Sequence, residues 1–176
     1  MTEQRSNPKA PSDFLWDVHK YTNDYIRFAD TKAAFTAGAA TGLVGALIGS
    51  SICDSLFKVR WCHWSTLQWT GLVGMLLVLL SLILSIAAIR PRLWTTKHGS
   101  GFIFWESILE HGSARHFTTS VHHLTEREQS EAVSNHLFDL AAIAKRKYLY
   151  VNRAIWSGTI GGVLIGVVLF LQHAYR

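Results

Sequence analysis

Three long apolar runs without a single Asp, Glu, Lys or Arg punctuate this chain, at about residues 33–52, 67–89 and 154–171. Each is close to the roughly 20 residues that a helix needs to cross a hydrocarbon core about 30 Å thick. Between and before them the pattern changes. Phe14, Val18, Tyr21, Tyr25 and Phe28 recur at alternating steps of four and three, which predicts an amphipathic helix with one apolar stripe. Neither Pro nor Gly separates that helix from the first run, so the two read as one element. Asn7 to Pro11 is a breaker-rich tip, and Ser12 is the expected helix cap.

After the second run, Arg90-Pro91-Arg92 predicts a stop, because Pro91 removes a backbone donor and clashes with the preceding turn. Residues 95–101 read as a loop, Phe102 to Glu110 as a short aromatic helix stopped at Gly112, and Ser113 as the cap of a helix reaching about Leu124. Thr125-Glu126-Arg127-Glu128 fits a capping box. No Gly or Pro then follows until Gly158, and Leu137, Ala141, Ala144, Tyr148 and Val151 repeat at heptad spacing. One helix from Glu126 through the third run is expected, roughly 70 Å long at 1.5 Å per residue.

The predicted fold class is all-α: three transmembrane helices with a cytoplasmic helical bundle continuous with the spans. The segments are residues 1–32 as a cytoplasmic N-terminal helix, 33–89 as a transmembrane hairpin, 90–153 as a cytoplasmic helical sensor, and 154–176 as the third span with a short outer tail. The first run begins too far in for a simple signal peptide and ends in no small-residue cleavage motif, so no cleaved targeting segment is expected.

The net charge of +5 suggests nucleic acid until its distribution is examined. Residues 1–32 carry five Lys or Arg and residues 90–153 carry nine, against two in 53–66 and one in the tail. The positive-inside rule puts the two richer segments in the cytoplasm and the C-terminus outside. The basic excess is therefore a topology signal with anionic lipid headgroups as its partner, and no nucleic acid is expected. Trp61, Trp64 and Trp69 fit an aromatic belt at the outer edge of span two, and Trp94 an anchor at its inner edge. Cys53 and Cys62 share the outer loop, where they either pair in an oxidising compartment or remain thiols.

Span one places Ala34, Gly38, Gly42, Ala46 and Ser50 along one side, and span three carries Gly158, Gly162 and Gly166 at four-residue spacing. In lipid, helices associate through close backbone approach rather than the hydrophobic effect, so both rows are candidate packing faces, within one chain or in a homo-oligomer. Span two shows no comparable row and is expected to meet lipid.

No nucleotide-binding loop, nucleophile elbow or zinc-peptidase motif is present, and His111, His116, His122 and His123 match no metal-ligand spacing. Neither an enzyme nor a cofactor is expected. Two polar groups stand out. Asp30-Thr31-Lys32 sits where the first helix meets the bilayer, with Arg90, Arg92 or Lys32 as cations to pair the carboxylate. Lys145-Arg146-Lys147-Tyr148 lies about two turns before span three. One reading is headgroup contact; the other is an anion site for a phosphate-bearing ligand, with Tyr148 or Trp105 as a stacking platform.

Taken in order, several of these segments resemble one family. They are Phe28-Ala29-Asp30-Thr31-Lys32-Ala33 entering a Gly-rich span, Arg90-Pro91-Arg92, Gly101-Phe102-Ile103-Phe104-Trp105-Glu106-Ser107-Ile108, Leu124-Thr125, and Leu140 to Tyr148. The chain from about residue 14 to 170 resembles the membrane effector of Pycsar, the bacterial pyrimidine cyclase anti-phage system. The resemblance implies an inner-membrane protein that partners functionally with an adjacent nucleotide cyclase. It would be activated by a cyclic pyrimidine mononucleotide (cyclic UMP or cyclic CMP) and impair the membrane in abortive infection. The resemblance supplies no binding residues. The residues themselves offer Arg90, Arg92, Trp105, Lys145, Arg146, Lys147 and Tyr148 as nucleotide-binding candidates. The rival reading is a structural or scaffolding membrane subunit with no nucleotide ligand.

Overall fold

The computed structural model describes residues 11–49, 65–90 and 102–174. The N-terminal tip, Cys53, Cys62, Trp61, Trp64, Arg92 and Trp94 lie outside them. Five helices are described: α1 Pro11–Ile48, α2 Thr66–Ile89, α3 Trp105–Glu110, α4 Ala114–His122 and α5 Glu126–Ala174. The described residues contain no strand, and α1, α2 and α5 are long and apolar enough to cross a membrane.

Local chemistry fixes the helix ends. Helix α1 already includes Pro11, one residue ahead of the expected cap, as suits a residue whose missing N–H costs nothing in a first turn. At the head of α2, the Ser65 backbone N–H donates to Gln68 Oε1 at 2.8 Å. Ser113 Oγ accepts from the His116 N–H at 3.2 Å and starts α4 as anticipated. Gly112 before it has φ +72°, a left-handed conformation that L side chains avoid. The capping box at α5 also forms: Thr125 N–H donates to Glu128 Oε2 at 2.8 Å and Glu128 N–H to Thr125 Oγ1 at 3.3 Å. The Thr125 N–H and hydroxyl both donate to Glu128 Oε2 at 2.8 Å, in the polar stretch ahead of the third span, and hold that carboxyl below its ordinary range.

The chain divides into two compact units, one of residues 1–26 and 92–144, the other of residues 27–91 and 145–176. In the first, Phe102, His111 and Phe117 stack, with His111 5.4 Å from Phe102 and 5.3 Å from Phe117 between centroids. The rings of His19 and His136 lie 5.4 Å apart, and Trp16 meets His19 edge-on. Burial, and then the neighbouring His19, push the His136 imidazole below its usual value, while Asp139 pulls the other way. Phe14, Tyr21 and Tyr25 are exposed. They belong to the stripe expected to seat this helix in a bundle.

The second unit contains the three spans. Its core runs along two clusters, one of Ala29, Ala33, Ala88 and Val151, the other of Ala40, Leu47, Val78 and Ile165. Their order makes α2 antiparallel to both α1 and α5. Contrary to the sequence expectation, α2 has a packed face: Gly71, Gly74, Val78, Ser81, Ser85 and Ala88 are buried at alternating steps of three and four. Only its opposite side, with Leu76, Leu80, Ile83 and Ile86, is left exposed. Polar bonds reinforce the packing, since Ser81 Oγ donates to the Ala154 carbonyl at 2.7 Å and Ser157 Oγ to the Leu77 carbonyl at 3.1 Å. Such interhelical bonds contribute about 0.6 kcal/mol each on average in a membrane.

The glycine contacts also differ from the simple four-residue reading. A Cβ added to Gly158 would meet Ser81 Oγ at 2.7 Å, and one on Gly161 would meet the Gly74 carbonyl oxygen at 2.7 Å. At Gly162 it would only touch Leu43 at 3.7 Å, and at Gly166, Gly38 or Gly42 it would meet nothing within 4 Å. Within one chain the close approach is thus Gly158 and Gly161 against α2. Ala34, Gly38, Gly42 and Ala46 face outward.

Candidate functional site

One of the two clusters lies at a polar end of the three-span unit. Ala29 and Ala33 bring α1, Ala88 brings α2 and Val151 brings α5 together there, with Tyr148 packed against the cluster. Alanines at these positions let the backbones approach, so the charged residues flanking them are carried to the same end.

Helix α5 keeps Val151 of the predicted seam but turns Lys147 inward rather than Tyr148. Val133, Lys147, Val151, Ala154, Gly161, Ile165 and Val168 are its buried residues, whereas Ala141 is exposed. Lys147 therefore occupies a core position. Its side chain is 10% exposed and its Nζ donates to Asp30 Oδ1 at 2.5 Å, with Asp30 37% exposed. The sequence reading offered Arg90, Arg92 or Lys32 as the partner of Asp30; the ammonium of Lys147 takes that place. Lys32 fails as a partner for a geometric reason, because residues two apart on a helix do not face each other. Its Nζ lies over the Phe28 ring at 4.4 Å, one turn back, and 5.9 Å from the Tyr148 ring centroid.

The other candidates are placed as follows. Arg90 directly follows α2 and is exposed. Lys145 and Arg146 are exposed on α5, and Tyr148 is half-buried beside Lys147. Arg92 lies outside the described residues, and of Trp105 only the helical backbone is described. The end of the three-span unit thus carries one buried, internally paired cation, several exposed cations, and an aromatic ring. Such a set suits recognition of an anion with a flat apolar part. Sequence singled out both halves of the Asp30–Lys147 pair but not their pairing, since nothing in a linear pattern links positions 117 residues apart.

Among the described residues, no group of His, Cys, Asp and Glu is arranged to hold a metal. Comparison with known proteins gives a consistent assignment. A family model described as Pycsar effector protein domain matches residues 14–172. The chain is similar to the Pycsar effector protein SaPycTM of Staphylococcus aureus, with 26% identity over 141 residues that cover 80% of this chain and 83% of that protein. No solved structure matches the chain. The family match takes in all three apolar helices and the polar segment between the second and third, so this membrane protein belongs to the Pycsar transmembrane effectors of anti-phage defence.

Proposed function

We propose that a cyclic pyrimidine mononucleotide, cyclic UMP or cyclic CMP made by a partner cyclase, switches this protein to a state that impairs the inner membrane and ends infection abortively. The protein acts as a ligand-gated membrane effector with no catalysis of its own, assembled as a homo-oligomer. The N-terminus and residues 90–153 face the cytoplasm and the C-terminus faces out. The asymmetry of Lys and Arg supports that orientation, which reporter fusions at residue 120 and at the C-terminus test.

The observation that carries the ligand reading is the cationic, aromatic end of the three-span unit. Arg90, Lys145 and Arg146 are exposed there, and Tyr148 offers a ring. Arg92 and Trp105, the remaining candidates from the sequence, belong to the other unit. Lys147 enters the candidate set in a different role, because Asp30 already engages its ammonium. A ligand shifts a two-state equilibrium only by its differential affinity for the two states. The site must therefore change when the spans rearrange, and residues flanking the span contacts meet that condition.

A charge-assisted bond to phosphate contributes roughly 1.5–3 kcal/mol. Arg146→Ala is thus expected to weaken nucleotide binding about tenfold to a hundredfold, and to abolish protection while the protein stays in the membrane. Calorimetric titration of the detergent-solubilised protein with cyclic UMP, cyclic CMP and cyclic AMP checks this. Wild-type affinity in both Arg146→Ala and Arg90→Ala would move the site elsewhere. Absence of binding by the wild type would favour a scaffolding subunit.

A further inference from the structure

A groove of about 590 Å³ opens between α1 and α5, with α2 as its floor. Its walls include Phe35, Ala39 and Leu43 from α1 and Ile155 and Gly158 from α5, and Val78 lies at the bottom. Four hydroxyl-bearing residues also line it, Thr159 of α5 among them, and the other three have their protons committed. Thr31 Oγ1 donates to the Arg27 carbonyl, Thr36 Oγ1 to the Lys32 carbonyl and Ser81 Oγ to the Ala154 carbonyl. The groove therefore presents an apolar surface over most of its length. It offers a sugar phosphate almost nothing to bind. At its polar end stands Lys32, the charged residue of the lining, exposed and with no ion-pair partner among the described residues.

The length of the groove and the charge at one end point to the occupant. From Lys32 to Leu43 the helix rises about 16 Å at 1.5 Å per residue. That is about the depth of one leaflet of a hydrocarbon core roughly 30 Å thick. An apolar groove of that length with a cation at its polar end matches a methylene chain that carries an anionic headgroup.

We infer that this groove is a site for an anionic phospholipid, with one acyl chain lying against Phe35, Ala39, Leu43 and Ile155 and the headgroup phosphate on Lys32. The inference is independent of the nucleotide reading, because it uses a different cation and a surface at membrane depth. A lipid seated there would wedge α1 and α5, so lipid composition would bias the arrangement of the spans.

Native mass spectrometry of the full-length protein with phosphatidylglycerol or phosphatidylcholine of the same chains tests it. The wild type is expected to retain phosphatidylglycerol about fivefold better, the contribution of one lysine near an anionic lipid surface. Lys32→Gln should erase that preference and keep chain binding. Ala39→Trp, and independently Thr159→Trp on the opposite wall, should each reduce both bound lipids more than tenfold. Equal retention of the two lipids by the wild type, or unchanged retention in both tryptophan variants, overturns the proposal. So does efficient crosslinking between copies through Ala39→Cys, which would give the groove to a second copy.

Discussion

Asp30→Ala is expected to destabilise the three-span unit by about 2–4 kcal/mol, and Lys147→Met by only about 1 kcal/mol. Removing one partner of a fully buried ion pair costs roughly 3–5 kcal/mol, because the other charge is left without compensation. The two sides of this pair are not equally buried. Lys147 keeps 10% of its side-chain surface and Asp30 keeps 37%. Deleting Asp30 strands the ammonium in a core position of the α5 seam. Deleting the ammonium leaves a carboxylate that water already reaches, and Met retains the packing of the lysine stem. The double variant Asp30→Ala, Lys147→Met should recover most of the loss, since no charge is then stranded. Unfolding of the detergent-solubilised variants in a double-mutant cycle measures this. Equal effects of the two single variants, or no recovery in the double, would show that the pair is solvated like a surface salt bridge.

The second large effect concerns the glycines. Gly161→Ala should cost about 1–3 kcal/mol, the range for overpacking a filled interface. The new methyl would sit 2.7 Å from the Gly74 carbonyl oxygen and 2.9 Å from Val78 Cγ2, and a backbone oxygen cannot rotate away. Separating α2 from α5 there would also stretch the flanking bonds from Ser157 to Leu77 and from Ser81 to Ala154. Gly158→Ala should be milder, because its nearest neighbour is the Ser81 hydroxyl, which can rotate away at the cost of its bond to the Ala154 carbonyl. Gly166→Ala and Gly42→Ala should leave the single chain as stable as before, having nothing within 4 Å to displace. Thermal unfolding of the four variants ranks them, and a Gly161→Ala protein as stable as Gly166→Ala would contradict the packing described. Any effect of a bulkier residue at Gly38 or Gly42 on crosslinking between copies would then report the proposed homo-oligomer, separately from the fold.

These expectations link the Pycsar effector assignment to specific contacts. The Asp30–Lys147 pair and the Gly161–Gly74 contact hold the spans in the observed arrangement. A ligand at Arg90, Lys145 and Arg146 would act beside the first of these contacts, where α1, α2 and α5 meet.

The local features of this protein were legible in its sequence. The length of the uncharged runs determined three spans, because crossing hydrocarbon needs a fixed helical rise. Ser113, Thr125 with Glu128, and Gly112 determined helix ends, because capping depends on residues within one turn. The unbroken stretch after Glu126 determined a single long helix. The faces that pack were decided only in three dimensions. In a span every side is apolar, so polarity marks no inward face, and small residues on several sides compete. Gly158 and Gly161 meet α2 while Gly38, Gly42 and Gly166 do not, a choice made by the fit of one backbone against another. The same fit gave α2 its buried stripe of Gly71, Gly74, Ser81 and Ser85, where the leucines had pointed to lipid. It also turned Lys147 inward in place of Tyr148, which made that cation the buried partner of Asp30.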